Sequence, residues 1–250
     1  MKMTATTSLV SVATLATVAT LARDPEPIPA YLDETYWWAY VNPGAIRFFE
    51  RQWLVTLILW GNFSRLRDSA IDALGVASKA GRTLQVACVY GDLTERLIDA
   101  SAAESTLDIL DVVPAQLTNL RRKLPARMTP NLIRCDSSKM QFETASYDRT
   151  LLFFLLHEMP EDVRRATLAH AFRVTKPGGR IVLVDYHHPK KWHPLYWAMR
   201  GILKGLEPFA LDLWRNELAT YFPPRAPIAS MTTTTSFGGL YQLLTIDIAE

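Results

Sequence analysis

The chain has little that would mark a secreted, membrane-spanning or nucleic-acid-binding protein. Two cysteines, Cys88 and Cys135, occur in 250 residues. They are too few for a disulfide scaffold and lack metal-site spacing, so they read as buried thiols of a reducing compartment. The net charge is only +2, whereas a domain gripping a nucleic acid backbone is usually far more basic. A nucleic acid partner is therefore not expected. Long apolar runs are also missing. A membrane-spanning helix needs about 20 apolar residues, and the most apolar stretch, 53–60, is bracketed by Arg51, Asn62 and Arg65. It reads as a buried or interfacial helix. No internal repeat is present. Apolar residues at 49% and charged residues at 21% exclude pervasive disorder and a coiled coil. The length suits one α/β domain with a small cap.

What is present falls into three textures. Residues 1–30 are rich in Thr, Ala, Ser, Leu and Val, with Lys2 as the one charge before Arg23 and a Pro-rich close at 25–29. They read as a disordered tail or a weak targeting segment. Residues 31–80 read as a helical cap. Ile46, Phe49, Trp53, Leu57 and Trp60 recur at three- and four-residue steps, which predicts one amphipathic helix over 44–60. Asn62 is a plausible N-cap for a second helix that Gly75 ends. From residue 81 strands and helices alternate: strands at 83–89, 106–110, 131–135, 147–156 and 180–185, helices at 93–103, 114–124 and 163–174. This is the pattern of a mostly parallel, doubly wound α/β sheet. A helical insert follows at about 186–222, and a turn and strand close the chain at 236–248.

Ligands of such sheets bind beyond the carboxyl ends of the strands. There the first turn carries Gln85, Ala87, Val89, Tyr90, Gly91 and Asp92, the second strand ends in Asp111 and Val112, and the third in Asp136 and Ser137. Four of the five histidines also fall at strand ends: His157, His187, His188 and His193. With Asp185 and Glu158 they suit either a divalent transition metal or general acid–base work. His170, mid-helix, reads as structural. All seven tryptophans lie outside 61–191. Tyr36, Trp37, Trp38 and Tyr40 cluster in one segment, and Trp192 and Trp197 stand among Lys190, Lys191, Arg200 and Lys204. Aromatics with an apolar body and a wet edge suit a flat apolar ligand or an anionic lipid surface. Trp53 and Trp60 read as core.

The order and spacing of these pieces over 81–250 resemble class I S-adenosylmethionine (SAM) methyltransferases, near the ubiquinone/menaquinone C-methyltransferase group. That family reads acid-x-Gly-x-Gly-x-Gly at the first turn. Here Gln85, Ala87 and Val89 replace the acid and two glycines, and only Gly91 is retained. A closer resemblance extends from about residue 31 to the end. It rests on the Tyr36–Pro43, Phe49–Val55, Ile58–Asn62, Val86–Asp92, Leu152–Glu158, Val184–His187, Trp192–Pro194 and Leu206–Trp214 segments, which are similar to the rhodoquinone biosynthesis proteins.

This second resemblance implies replacement of a ubiquinone ring methoxy group by an amine, with SAM as amino donor and Mn²⁺ as a required metal. It implies cofactor contacts at Gln85, Val89, Tyr90, Gly91, Asp92, Asp111, Val112, Asp136, Ser137 and Phe154, with Asp111 on the ribose and Asp136 at the adenine edge. His157, Asp185, Tyr186 and His187 become the catalytic candidates, and Asp185, His157, His187 and His193 the metal candidates. Tyr36, Trp37, Trp38, Tyr40, Trp192 and Trp197 become the quinone contacts. The setting expected is cytoplasmic, on the inner membrane surface, or the matrix face of an organelle. Two other readings stay open: a conventional methyltransferase acting on a quinone or phenol, and a SAM-fold protein without catalysis.

Overall fold

The computed structural model describes residues 27–250, so most of the expected tail lies outside the described residues. Five short helices precede or flank the first strand: α1 (Ala30–Thr35), a π-helical turn (Trp37–Val41), α2 (Pro43–Phe49), α3 (Gln52–Ile58) and α4 (Phe63–Leu74). The α/β part runs β1 (Arg82–Val86), α5 (Leu93–Ala100), β2 (Thr106–Asp111), α6 (Pro114–Lys123), β3 (Asn131–Arg134), β4 (Tyr147–Phe153), α7 (Glu161–Val174) and β5 (Thr175–Tyr186). The insert holds α8 (Tyr196–Leu206) and α9 (Asp212–Arg215), and β6 (Ile228–Ser236) and β7 (Tyr241–Ile248) close the chain.

The seven strands lie in the order β3-β2-β1-β4-β5-β7-β6. The first five are parallel, while β7 runs antiparallel to β5 and β6 antiparallel to β7. Strand side chains alternate between two helical layers. Leu152, Ile181 and Leu183 pack with Leu168 and Phe172 of α7. Leu151, Phe153, Val182 and Val184 pack with Leu66, Ala70 and Leu74 of α4, Leu97 of α5 and Leu203 of α8. Strand order reverses between β1 and β4, and the loops leaving these two strands splay apart to form the crevice expected of this topology. Both loops begin with a residue in the left-handed region, Ala87 (φ 74°) and Phe154 (φ 51°).

Three expectations change. The single helix over 44–60 is two helices, broken where Arg51 takes an extended conformation (ψ 119°). Glu50, at the break, is drawn inward by three tertiary contacts described below, and these outweigh helical continuation. The expected apolar face is not buried as a stripe: Ile46 is buried, but Trp53, Leu57 and Trp60 are exposed. The core reading of Trp53 and Trp60 is therefore wrong. Second, α4 is a sheet-covering helix rather than part of a cap. Gly75 does end it in the left-handed conformation, but Asn62 makes no capping bond and instead donates to the Leu59 and Trp60 carbonyls. Third, β6 was not expected. It is an edge strand exposed on both faces, so it carries no hydrophobic alternation, and its run of threonines was the one available signal.

Candidate functional site

A cavity of about 520 Å³ lies over the carboxyl ends of β1, β2, β3 and β4. Small-molecule sites typically span about 300–1,000 Å³. The floor comes from the strand ends: Ala87–Tyr90, Asp111–Val113, Asp136, Ser137, Phe154, His157, Glu158 and Tyr186. The roof comes from α3 and its exit (Val55, Leu57–Trp60), from Trp38 and Phe49, and from α8 (Met199, Ile202, Leu203, Leu206) with Glu207. Trp60 Nε1 donates to Met199 Sδ at 3.1 Å, which ties the α3 exit to the insert across the roof.

Asp111 is buried at the end of β2. Its Oδ2 accepts from Cys88 N and its Oδ1 from Val113 N, both at 2.8 Å. Burial pushes its carboxyl up to about 6 against those backbone donors. Each oxygen keeps a further lone pair, so the carboxylate can still accept ribose hydroxyls. Asp136 Oδ1 accepts from Ser138 N and Ser138 Oγ and shapes the turn after β3. Val89, Tyr90, Val112, Asp136, Ser137 and Phe154 line the cavity.

The altered first turn is held by the rest of the chain. Lys123 Nζ, at the end of α6, donates to Gly91 O at 2.6 Å, Val89 O at 3.1 Å and Glu50 Oε1 at 2.6 Å. Glu50 also accepts from Gly91 N (3.0 Å) and Asn119 Nδ2 (2.6 Å). Tyr90 Oη donates to Ala39 O at 2.7 Å and accepts from Gln116 Nε2 at 2.8 Å, and the Tyr90 ring stacks on Phe49. Ala87 retains the backbone conformation that glycine would supply at its position.

Three expected cofactor residues lie elsewhere. Gln85 is buried under the turn, where its amide donates to Ala87 O and accepts from Thr94 Oγ1. Gly91 packs against the Phe63 ring, which leaves no room for a β-carbon. Asp92 is paired with Arg67 and Arg96, and these cations hold its carboxyl below its ordinary value against the effect of burial.

At the other end of the cavity, His157 Nδ1 donates to Asp185 Oδ1 at 2.9 Å. Asp185 Oδ2 accepts from Leu156 N and His157 N, and its Oδ1 from Tyr186 N, which fixes the carboxylate beneath the ring. Burial opposes a charged imidazole, but Asp185, with Glu207 and Glu158 nearby, holds His157 up to about 9. His157 is therefore an imidazolium at neutral pH. Its Nε2 lies 3.7 Å from Glu158 Oε1. Phe154 and Tyr186 meet the His157 ring edge-on at centroid distances of 6.0 and 4.8 Å.

Glu207, which the sequence pattern did not single out, lines the cavity beside Tyr36 and His157. Its buried Oε2 has no hydrogen-bond partner among the described residues. Burial raises its carboxyl, against the pull of His157 and Tyr36. Its position at the end of α8, reached only by folding the insert back, left no sequence signal.

The expected metal cluster does not assemble. His187 Nδ1 donates to Gly239 O at 2.8 Å, and the His193 ring packs against Gly238 and Phe237. Both are pinned in the closing turn, away from His157 and Asp185. Among the described residues no three His, Cys, Asp or Glu side chains form a metal-holding group. Asp185 itself is saturated by backbone N–H groups and His157. His187 is not among the cavity-lining residues, and its Nδ1 is engaged by the closing turn. The donor set among the described residues does not fit a protein-held Mn²⁺.

The expected quinone contacts divide. Trp38 lines the cavity. Tyr36 is buried beneath it with Leu32 and Val113, and Trp37, Trp192 and Trp197 point to solvent, the last two 73% and 75% exposed. The Tyr40 side chain lies outside the described part of the structure. Adjacent aromatics cannot share one face, so one of the cluster is selected by the turn geometry.

Comparison with known proteins places this geometry in context. Residues 83–179 match the methyltransferase-domain family. The ubiquinone/menaquinone biosynthesis C-methyltransferase of Rhizobium leguminosarum bv. trifolii is 29% identical over 124 residues, 48% of this chain and 47% of that protein. A demethylmenaquinone methyltransferase of Renibacterium salmoninarum is 32% identical over 131 residues, 52% and 51% of the two chains. The chain spans about half the length of the curated relatives it matches. An O-methyltransferase family protein from Burkholderia thailandensis superposes with a TM-score of 0.64 at 16% identity, covering 83% of this chain and 60% of that one. The fold is that of the class I SAM methyltransferases, and about half of the chain is similar in sequence to proteins named as quinone C-methyltransferases.

Proposed function

We propose that this protein is a SAM-dependent enzyme of quinone metabolism that replaces a ring methoxy group of ubiquinone with an amine, giving rhodoquinone. The observation that carries the reading is the rebuilt first turn. Val89 and Tyr90 stand where the related family carries backbone and glycine, and Lys123, Glu50, Ala39 and Gln116 hold them in place. The retained acids Asp111 and Asp136, at the ends of β2 and β3, would face the nucleoside. The change is thus confined to the part of the cavity that would face the methionine end of the cofactor.

SAM would supply the amino group. Asp111 would hold its ribose and Asp136 its adenine edge, while Trp38, Trp60 and the α8 side chains exclude water from an apolar ring. His157, oriented by Asp185 and charged at neutral pH, would donate Nε2–H to a quinone carbonyl oxygen. That withdraws electrons from the ring carbon bearing the methoxy group, the task otherwise expected of a metal. Glu207, raised by burial, would accept the proton lost by the attacking amine. Attack would form the ring C–N bond and break the ring C–O bond, with methanol leaving. Loss of the donor's α-proton would then move two electrons into the ring, and hydrolysis by water would break the nitrogen–Cα bond, releasing the 2-oxo acid of SAM and the aminated ring in its quinol form.

A second reading has its own support: the relatives are C-methyltransferases by name, so methyl transfer to a quinone ring is the alternative. Incubation of the purified chain with ubiquinone and SAM labelled with ¹⁵N at the amine and ¹³C at the methyl separates the two. Product carrying ¹⁵N in place of methoxy supports amination; product carrying ¹³C replaces it with methyl transfer. Parallel reactions with Mn²⁺ and with chelator test the metal expected from the resemblance.

A further inference from the structure

Exposed large apolar side chains gather where the cavity opens. Trp38, Leu57, Ile58, Trp60, Ile202 and Leu206 each line the cavity and are each more than a third exposed to solvent. Monomeric soluble proteins seldom leave such a contiguous patch uncovered. The α3 exit and α8 touch through Trp60 and Met199, so the two segments form one face around the mouth. Trp53 of α3 and Trp197 of α8 are exposed on the same two helices.

The insert side of this face is basic, whereas Asp33 and Glu34 are exposed near Trp38 on the cap side. From residue 190 to 206 the chain carries Lys190, Lys191, Arg200 and Lys204, all exposed, and no acid. Along α8, Arg200 and Lys204 share an exposed side with Trp197, while Ile202 and Leu206 border the cavity mouth. On the cap side Arg47 and Arg51 lie outward, while the intervening Glu50 is turned inward onto Lys123 and Gly91. Lys190 also lies over the Trp192 ring, 5.6 Å from its centroid. Against a whole-chain net charge of only +2, this is a local concentration of cations interleaved with aromatics. An amphipathic helix with a basic rim lies in the plane of an anionic interface.

We propose that the face formed by the α3 exit and α8 docks onto an anionic lipid bilayer with the cavity mouth against it. An apolar substrate then passes from bilayer to cavity without crossing water. The delivery half rests on the quinone reading above; the docking half does not.

Sedimentation of the full chain with phosphatidylcholine vesicles, with and without phosphatidylglycerol, tests the docking. Strong association with the anionic vesicles and weak association with the neutral ones is expected, falling as salt rises. Each basic residue near an anionic surface contributes roughly fivefold in affinity, so Arg200→Glu with Lys204→Glu should weaken vesicle binding at least about thirtyfold. Trp53→Ser should weaken it without altering the unfolding midpoint, because Trp53 is neither core nor cavity lining. No sedimentation of folded protein at low salt would overturn the proposal. Dimerisation that Trp53→Ser abolishes, with no vesicle binding, would overturn it in favour of a second copy of this chain. Intact vesicle binding with no quinone product would leave the docking in place and refute the quinone reading. A soluble short-chain quinone turned over equally by the parent and the charge-reversed variant, while only the parent acts on vesicle-embedded quinone, would support delivery through the mouth.

Discussion

Replacing Lys123 with methionine keeps the aliphatic stem but removes one charge and three hydrogen bonds, to Gly91 O, Val89 O and Glu50 Oε1. Hydrogen bonds to charged groups each contribute about 1.5–3 kcal/mol net. The sum overstates the effect. Lys123 and Glu50 are each about one fifth exposed, so water screens the pair, and Glu50 keeps Gly91 N and Asn119 as donors after the change. A loss of about 2 kcal/mol from the closed turn is the reasonable magnitude, which is a factor of about thirty in its population relative to open forms. If SAM binds the turn as it stands, its affinity should fall by up to that factor. Calorimetric titration with SAM reads this directly. Urea unfolding of Lys123→Met, Glu50→Gln and the double variant gives the coupling energy, expected at about 1–3 kcal/mol. SAM affinity within twofold of the parent, together with coupling below about 0.5 kcal/mol, would refute the idea that this latch takes over the role of the missing glycines.

Further outcomes follow from the same geometry. His157 is held up to about 9 against an unfolded value near 6.5. The pair with Asp185 should therefore add about 3 kcal/mol below pH 6.5 that is lost as pH rises through 9. Urea unfolding at pH 6 and pH 9.5 should show this, and Asp185→Asn should flatten the profile. Burial raises Asp111, the proposed ribose acceptor, to about 6, so it is ionised at pH 7.5 and protonated below 6. SAM affinity should fall by up to about tenfold per pH unit below that point, and calorimetry with Asp111→Asn should show a flat profile. Ala87 sits at φ 74°, where a β-carbon costs about 1–2 kcal/mol. Because glycine is more flexible when unfolded, Ala87→Gly should stabilise the chain by only about 0.5–1 kcal/mol, a rise of about 2 °C in Tm by calorimetry. A fall in Tm would mean the turn differs from the one described.

Much of this protein was determined by local pattern. The strand expected at 147–156 carries the apolar run 151–156 and forms β4, buried on both faces, and alternation with helices required a mostly parallel sheet. Asp111 and Asp136 follow from their places at strand ends, because topology fixes what lies beyond those ends. Gly75 marks a helix terminus because its left-handed conformation is a local requirement. Tertiary structure decided the rest, wherever long-range contacts compete with local preference. Glu50 breaks the expected 44–60 helix because Lys123, Asn119 and Gly91 N, distant in sequence, claim its carboxylate. Four histidines at strand ends looked like one cluster, but strand ends are spread across a sheet. Only His157 meets Asp185 over the crevice, while His187 and His193 are held by the closing turn. Glu207 reaches the cavity because the insert folds back over the sheet. The direction in which each tryptophan faces depends on which neighbours cover it, and periodicity cannot report a neighbour that arrives from another part of the chain.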